Sequence, residues 1–249
     1  MAKLIVTLDE INLASHKELI GGKAMNLIKM KKRGFNVPHA FIITTAAMGK
    51  MDRQMKDLIF KNLKSLKTDK VAVRSSATCE DTETASFAGQ FESCLSVSKE
   101  NLIRAIKKCW ASISGERVLA YCQYKNISVS DIKMAVIVQE MIFAEKGGVI
   151  FTENVFQNNK DILMIEAAKG LGEKVVSGLV NPERILIDKK TRAILEKQSA
   201  DGEVLAQKEI KELTDIALKI EELYRSSQDI EWAIMKKKIY ILQSRPITK

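Results

Sequence analysis

The sequence predicts a mixed α and β (α+β) fold, and three observations carry that reading. Short apolar runs rich in β-branched residues, Val71-Ala72-Val73 and residues 135–142 (AVIVQEMI) above all, read as buried strands. Elsewhere apolar residues recur at helical spacing. In residues 100–113 Leu102, Ile103, Ile106, Cys109, Trp110 and Ile113 share one face, and in residues 207–225 Ile210, Leu213, Ile216, Ala217, Ile220, Leu223 and Tyr224 form one stripe. In the second half of the chain, apolar runs pair across short polar turns as hairpins: 147–152 with 162–167, 183–188 with 193–196, and 230–235 with 239–243.

The remaining elements follow in order. Residues 4–8 read as a short strand. Gly21-Gly22-Lys23 opens a helix through about Arg33, stopped by Gly34. Val37-Pro38 turns into a strand at 40–43, and a lysine-rich helix is expected over 45–66. A strand at 94–97 precedes the helix of residues 100–113, and a further helix is expected over 115–124. The chain has no internal repeat or linker. The lobe boundary is expected near 125–134, which gives lobes 1–130 and 131–249, with the apolar strand at 135–142 as the hinge.

Composition narrows the function classes. The 249 residues suffice for one large domain or two lobes with a sizeable core. No apolar run approaches the roughly 20 residues that span a membrane, and the N-terminus lacks a signal-peptide pattern, so a cytoplasmic protein is expected. The net charge of +9 comes from scattered lysines without interleaved aromatics, which argues against nucleic acid and for a solvated basic surface. Cys79, Cys94, Cys109 and Cys122 form no C-x-x-C pair and read as reduced thiols rather than a zinc site. Cys79 is the one with a second reading, a reactive thiol, because it sits within the stretch described next.

Residues 71–90 (VAVRSSATCEDTETASFAGQ) organise the rest. Arg74, placed at the end of the apolar run, offers a planar fork of donors to a phosphate. Ser75, Ser76 and Thr78, the acidic turn Glu80-Asp81, and the small-residue loop through Gly89 and Gln90 let backbone N–H groups approach an anion closely, with residues 89–93 as the cradle. No G-x-x-x-x-G-K-[ST] pattern occurs. Lys23, next to two glycines at a helix start, can reach back over a phosphate or stand as an ordinary first-turn lysine. In the last hairpin, alternation puts Asp229 with Glu231 on one face of one strand, and Gln243 with Arg245 on one face of the other. Glu231 and Gln243 suit Mg²⁺, a hard cation that takes one or two protein oxygens alongside substrate phosphates. The plain alternative is a cross-strand salt bridge between Glu231 and Arg245.

VAVRSSAT followed by ASFAGQ resembles the nucleotide-binding domain of phosphoenolpyruvate synthase and pyruvate phosphate dikinase, an ATP-grasp domain shared with rifampicin phosphotransferase. Gly21-Gly22-Lys23-Ala24, Val138-Gln139-Glu140-Met141, Gly170-Leu171-Gly172-Glu173 with Asn181-Pro182-Glu183, Asp229-Ile230-Glu231-Trp232 and Gln243-Ser244-Arg245-Pro246 extend the likeness in the family's order across nearly the whole chain.

The resemblance implies two lobes with ATP held between them. Lys23, Arg74 and Arg245 would act on the phosphates, with Gly89, Gln90 and Ser93 beside them, and Glu231 and Gln243 would hold Mg²⁺. The backbone of Glu140 and Ile142 would meet adenine with the Gln139 side chain close by; the alternative is a strand edge whose polar residues face solvent. Glu173 would lie at the mouth of the phosphate site. The implied reaction passes the β-phosphate of ATP to a histidine on a mobile domain, releasing AMP and phosphate, before a third domain serves pyruvate. His16 and His39 lie in no segment like the phosphohistidine motif, so both later domains are expected in trans, or this chain is a fragment. Residues 48–70 look shorter than in full synthases. Two other functions stay open: a phosphotransferase for another small molecule such as an antibiotic, and a nucleotide-binding module without catalysis.

Overall fold

The computed structural model describes residues 3–10, 17–66, 68–80, 87, 89–199 and 202–247. These form two compact units, one of residues 1–32 with 38–141 and one of residues 33–37 with 142–249. The expected boundary between 130 and 131 is therefore corrected. The strand at 134–140 is not a hinge standing apart but the middle strand of the first unit's sheet, paired on both sides, so it cannot be divided from that core. Residues 33–37 join the second unit because Asn36 donates to the Ile239 carbonyl at 2.7 Å and accepts from the Ile241 N–H at 2.9 Å.

The first unit holds β1 (Ile5–Thr7), α1 (Lys17–Lys32), β2 (Ala40–Ile43), α2 (Arg53–Leu63), β3 (Lys70–Ala77), β4 (Ser93–Ser98), α3 (Leu102–Ala111), α4 (Glu116–Lys125) and β5 (Met134–Glu140). The sheet order is β1-β2-β5-β3-β4, every pair antiparallel. One face carries Val71, Val73, Val136, Val138, Phe41 and Ile43, packed against Ile106, Cys109 and Trp110 of α3 and Ile59 of α2. Alternation sends Ala72, Arg74, Ile137 and Gln139 to the other face. The helix expected over 45–66 is broken: a 3-10 turn at Thr45–Ala47 ends near Gly49, whose φ of 76° is left-handed, and α2 starts afresh where Asp52 Oδ1 accepts the Met55 N–H at 2.8 Å.

The second unit holds β6 (Lys146–Phe151), β7 (Ile162–Lys169), α5 (Glu173–Val176), β8 (Glu183–Asp188), β9 (Ile194–Gln198), α6 (Gln207–Tyr224), β10 (Gln228–Met235) and β11 (Lys238–Pro246). The strand order is β11-β10-β6-β7-β8-β9, and the three expected hairpins are all present. The register sets Gln243, Glu231, Val149, Glu166 and Arg184 side by side across five strands. Directly opposed residues share a face, so this row marks one face of the sheet, on which Val149 and Ala168 pack with Val175 of α5. Ile230, Trp232 and Ile234 lie on the opposite face, where α6 packs on β10 with Ile210, Leu213, Ala217 and Ile220 buried. No helix among the described residues is long and apolar enough to cross a membrane.

Candidate functional site

Each unit gathers part of the expected chemistry. In the first, α1 is two helical pieces joined at Gly21, whose φ of 74° and ψ of 175° are not helical. A Cβ there would lie 2.1 Å from the Ser76 carbonyl oxygen, so only glycine lets α1 press onto β3. The Ser76 hydroxyl bridges the break, donating to the Ile20 carbonyl at 2.7 Å and accepting the Ala24 N–H at 3.1 Å. Lys23 leaves from this junction. Its ammonium reaches Glu80 Oε1 at 2.7 Å and Ser75 Oγ at 3.4 Å. Glu80 is 2% exposed, and its second oxygen accepts the Ala77 N–H at 2.9 Å.

Arg74 is not at a strand end. β3 runs on to Ala77 because Ser75, Ser76 and Ala77 continue the ladder opposite Val136, Ala135 and Met134. Arg74 is thus buried within the strand, between Ile137 of β5 and Ser93 of β4. The expectation that Ser75, Ser76 and Thr78 offer backbone N–H groups to an anion is corrected with it. The two serines are ladder residues, and the Thr78 N–H donates to the Lys133 carbonyl at 2.9 Å. What these serines supply is hydroxyls.

The loop of Gly89 and Gln90 is tethered by its flanks. Phe87 stacks on Phe91 at 5.2 Å and meets Tyr121 edge-on at 4.7 Å, both phenylalanines being buried. Gly89 turns with φ 67°, and the Gln90 N–H is committed to the Phe87 carbonyl at 3.1 Å, which removes it from the cradle. Ser93 stands opposite Arg74 and is exposed. Residues 81–86 and 88, between Glu80 and this loop, lie outside the described residues, as does His16; His39 is exposed, and its carbonyl accepts the Glu140 N–H at 2.8 Å.

Gln139 is 1% exposed, which excludes the solvent-facing alternative, and its Nε2 has no hydrogen-bond partner. A buried amide left this way is costly unless a ligand supplies an acceptor. The Glu140 N–H is taken by the His39 carbonyl, so it is not a donor left over for a ligand. Ile142, the first residue of the second unit after the strand, is buried.

In the second unit, β10 and β11 place Asp229 opposite Arg245 and Glu231 opposite Gln243. All four side chains stand on one face, adjacent in two rows. A register shift follows Glu231, where Trp232 pairs with Ile241 and Leu242 is the extra residue. Arg245 Nε and Nη2 both donate to Asp229 Oδ2, at 2.8 and 2.6 Å. This ion pair joins the two residues that the register sets directly opposite each other. Among the described residues no three His, Cys, Asp or Glu side chains cluster to hold a metal. Glu231 and Gln243 stand side by side as two oxygen-bearing side chains, and a hard cation such as Mg²⁺ takes one or two protein oxygens alongside phosphate oxygens.

Glu173 is the exposed first residue of α5. The turn before it packs onto β6, where a Cβ on Gly147 would lie 2.6 Å from the Gly172 nitrogen. The sequence reading missed three contributors: Glu80 as the acceptor for Lys23, Asp229 as the partner of Arg245, and Gly147 as the floor under the 170–172 turn. The paired glycines 147–148 inside an apolar strand were a visible signal of close backbone approach.

Burial, then the Glu80 carboxylate, pushes the Cys79 thiol up to about 12, which disfavours the reactive-thiol reading. Burial likewise pushes Cys109 up to about 12.

Residues 49–204 and 195–249 match the family described as pyruvate phosphate dikinase, AMP/ATP-binding domain. A probable phosphoenolpyruvate synthase of Methanocaldococcus jannaschii is 33% identical over 318 aligned positions, covering 99% of this chain and 27% of that protein. The uncharacterized phosphotransferase YvkC of Bacillus subtilis is 34% identical over 93% of this chain and 34% of its own length. The rifampicin phosphotransferase of Bacillus cereus is 30% identical over 92% and 34%. The chain thus spans about a quarter to a third of the length of these relatives. Among solved structures, a D-alanine–D-alanine ligase from Helicobacter pylori is similar over 91% of this chain and 54% of that one, with 9% identity and a TM-score of 0.47. From its sequence matches, the chain belongs to the pyruvate phosphate dikinase AMP/ATP-binding domain family.

Proposed function

We propose that this chain is the nucleotide-binding part of a phosphoenolpyruvate synthase-like phosphotransferase of the cytoplasm, an ATP-grasp domain that binds ATP with Mg²⁺. The observation that carries the reading is the pairing of Glu231 with Gln243 beside Asp229 and Arg245 on one sheet face. A metal-binding oxygen pair next to an arginine is what a polyphosphate needs, and Lys23 and Arg74 are the cationic residues proposed to act on phosphate besides it. Gln139 fits a purine edge. The four free cysteines fit a reducing compartment.

In this reading catalysis is positioning and charge neutralisation. A histidine nitrogen on a separate domain or protein attacks the β-phosphorus. The N–P bond forms as the bond from that phosphorus to the α-phosphate oxygen breaks, and AMP leaves with the oxygen. Water releases the γ-phosphate, so ATP, histidine and water give AMP, phosphohistidine and phosphate. Mg²⁺, when bound, neutralises phosphate oxygens. Lys23, Arg74 and Arg245 orient the chain of phosphates, while residues 89–93 flank it and Glu173 stands at its mouth. A phosphoenolpyruvate/pyruvate domain is then a second partner in trans. The greater length of the relatives supports additional domains of this kind.

The experiment is ATP labelled at the β-phosphate, incubated with Mg²⁺, this protein and a soluble extract of its source. Acid-labile, alkali-stable label on a second polypeptide, with AMP released in step, is the expected result; ATP binding without either outcome contradicts it. The rifampicin phosphotransferase relative keeps a second reading in view, transfer to an antibiotic or similar small molecule, which the same assay reveals as label on a small product.

A further inference from the structure

We propose that Glu80 is a positioning residue for Lys23, fixing the direction in which the lysine ammonium meets a nucleotide phosphate. The inference rests on the ATP-binding reading above and adds a residue to it.

A lysine is a flexible, strongly hydrated point charge with three donors on a four-carbon stem, so by itself it aims poorly. Here the stem starts at the Gly21 break, held against β3 by the Ser76 hydroxyl. The far end is held too. One donor goes to Glu80 Oε1 at 2.7 Å and another points to Ser75 Oγ at 3.4 Å. With two of three tetrahedral directions assigned, the third is set by geometry.

Glu80 can act this way because it is itself immobile. It is 2% exposed, and its other oxygen is tied to the Ala77 N–H at the end of β3, three residues from Arg74. The Lys23 side chain is 15% exposed, so its charge needs a partner in any ligand-free state, and a fixed carboxylate supplies one. Arg74 and Glu80 lie on or just after β3, and the Cys109 thiol of α3 is kept neutral by burial although Lys23 pulls it the other way. Glu80 is thus placed to set the ammonium's direction without meeting the nucleotide.

The test is a double-mutant cycle on ATP affinity, measured by calorimetry with Mg²⁺. Glu80→Gln is isosteric and keeps an acceptor for the Ala77 N–H. It is expected to weaken ATP binding about tenfold. Lys23→Met is expected to weaken it more, and Lys23→Met/Glu80→Gln to bind no worse than Lys23→Met alone, because Glu80 acts through the lysine. A double variant that loses both factors in full would show Glu80 acting only on the fold and would overturn the proposal. Ser75→Ala gives a second cycle in which Glu80 is untouched: a loss of about twofold in the natural background that vanishes beside Lys23→Met is expected, and a loss that persists there counts against positioning. If the unaltered protein binds no ATP, the nucleotide reading itself fails, which is distinct from additive losses in a protein that binds.

Discussion

Asp229 stands directly across β10 and β11 from Arg245, and a single oxygen, Oδ2, accepts from both Nε at 2.8 Å and Nη2 at 2.6 Å. The arginine is oriented before any ligand arrives, and it sits one row from the Glu231–Gln243 pair. Asp229→Asn is expected to weaken Mg²⁺–ATP binding and to cost about 2 kcal/mol of stability, since hydrogen bonds to charged groups contribute about 1.5–3 kcal/mol. Arg245→Lys, which keeps the charge and loses the fork, is expected to be nearly as harmful. Calorimetry and urea unfolding of both variants check this.

Glu231 brings the only formal negative charge of the proposed metal pair. Glu231→Gln is expected to raise the Mg²⁺ concentration needed for half-maximal ATP binding by about tenfold while leaving the fold intact. Titrating Mg²⁺ at fixed ATP gives the answer. An unchanged midpoint would remove Glu231 from the metal.

Arg74 is buried in the body of β3, so truncation to alanine would test packing and charge together. Arg74→Met keeps the stem and is the cleaner change. ATP affinity is expected to drop at least about tenfold, a larger effect than the accompanying shift in unfolding midpoint. Retained ATP affinity would show that this arginine serves the fold alone.

Gly21 and Gly34 both have left-handed φ, 74° and 82°, yet their surroundings differ. A Cβ at Gly34 meets nothing within 4 Å, while one at Gly21 meets the Ser76 carbonyl. Gly34→Ala is expected to cost about 1 kcal/mol, and Gly21→Ala more than about 2 kcal/mol, with loss of ATP binding because Lys23 is displaced. Thermal melts of the two variants, side by side, separate conformational strain from the clash.

The buried thiols give a pH dependence of defined sign. Cys79 and Cys109 rise from an ordinary value of 9.0 to about 12 in the folded protein. Between those values the unfolded chain has lost protons that the folded chain keeps, so stability falls as pH rises. Their contribution is intact below about pH 9 and fades toward pH 12. The double variant Cys79→Ser/Cys109→Ala is expected to show a shallower alkaline decline in urea midpoint than the natural protein. Thiol labelling at neutral pH is expected to be slow at both sites.

Much of this was legible in the residues themselves. The strand at 135–142, the three C-terminal hairpins and the helix near 207–225 follow from period and composition, which are properties of neighbouring residues. The helix expected over 45–66 failed because it was drawn through Gly49 and the Asp52 cap, two local signals that end one piece and start the next. Arg74 was placed at the strand end, three residues too early, for a different reason. Ser75 and Ser76 look like turn residues, and only pairing with Val136 and Ala135 of β5 keeps them in the strand.

Motif chemistry and element types were therefore set by the sequence alone: the basic and small residues of 71–90, Lys23 behind two glycines, and the acid, amide and arginine of the last hairpin. The tertiary structure decided the partners. It put the 134–140 strand in the middle of its sheet, brought Glu80 across 57 residues to Lys23, and paired Asp229 with Arg245. Propensity and periodicity act over a few residues, whereas strand order and register are settled by which faces can be buried together. The distances that define the candidate site exist only once that choice is made.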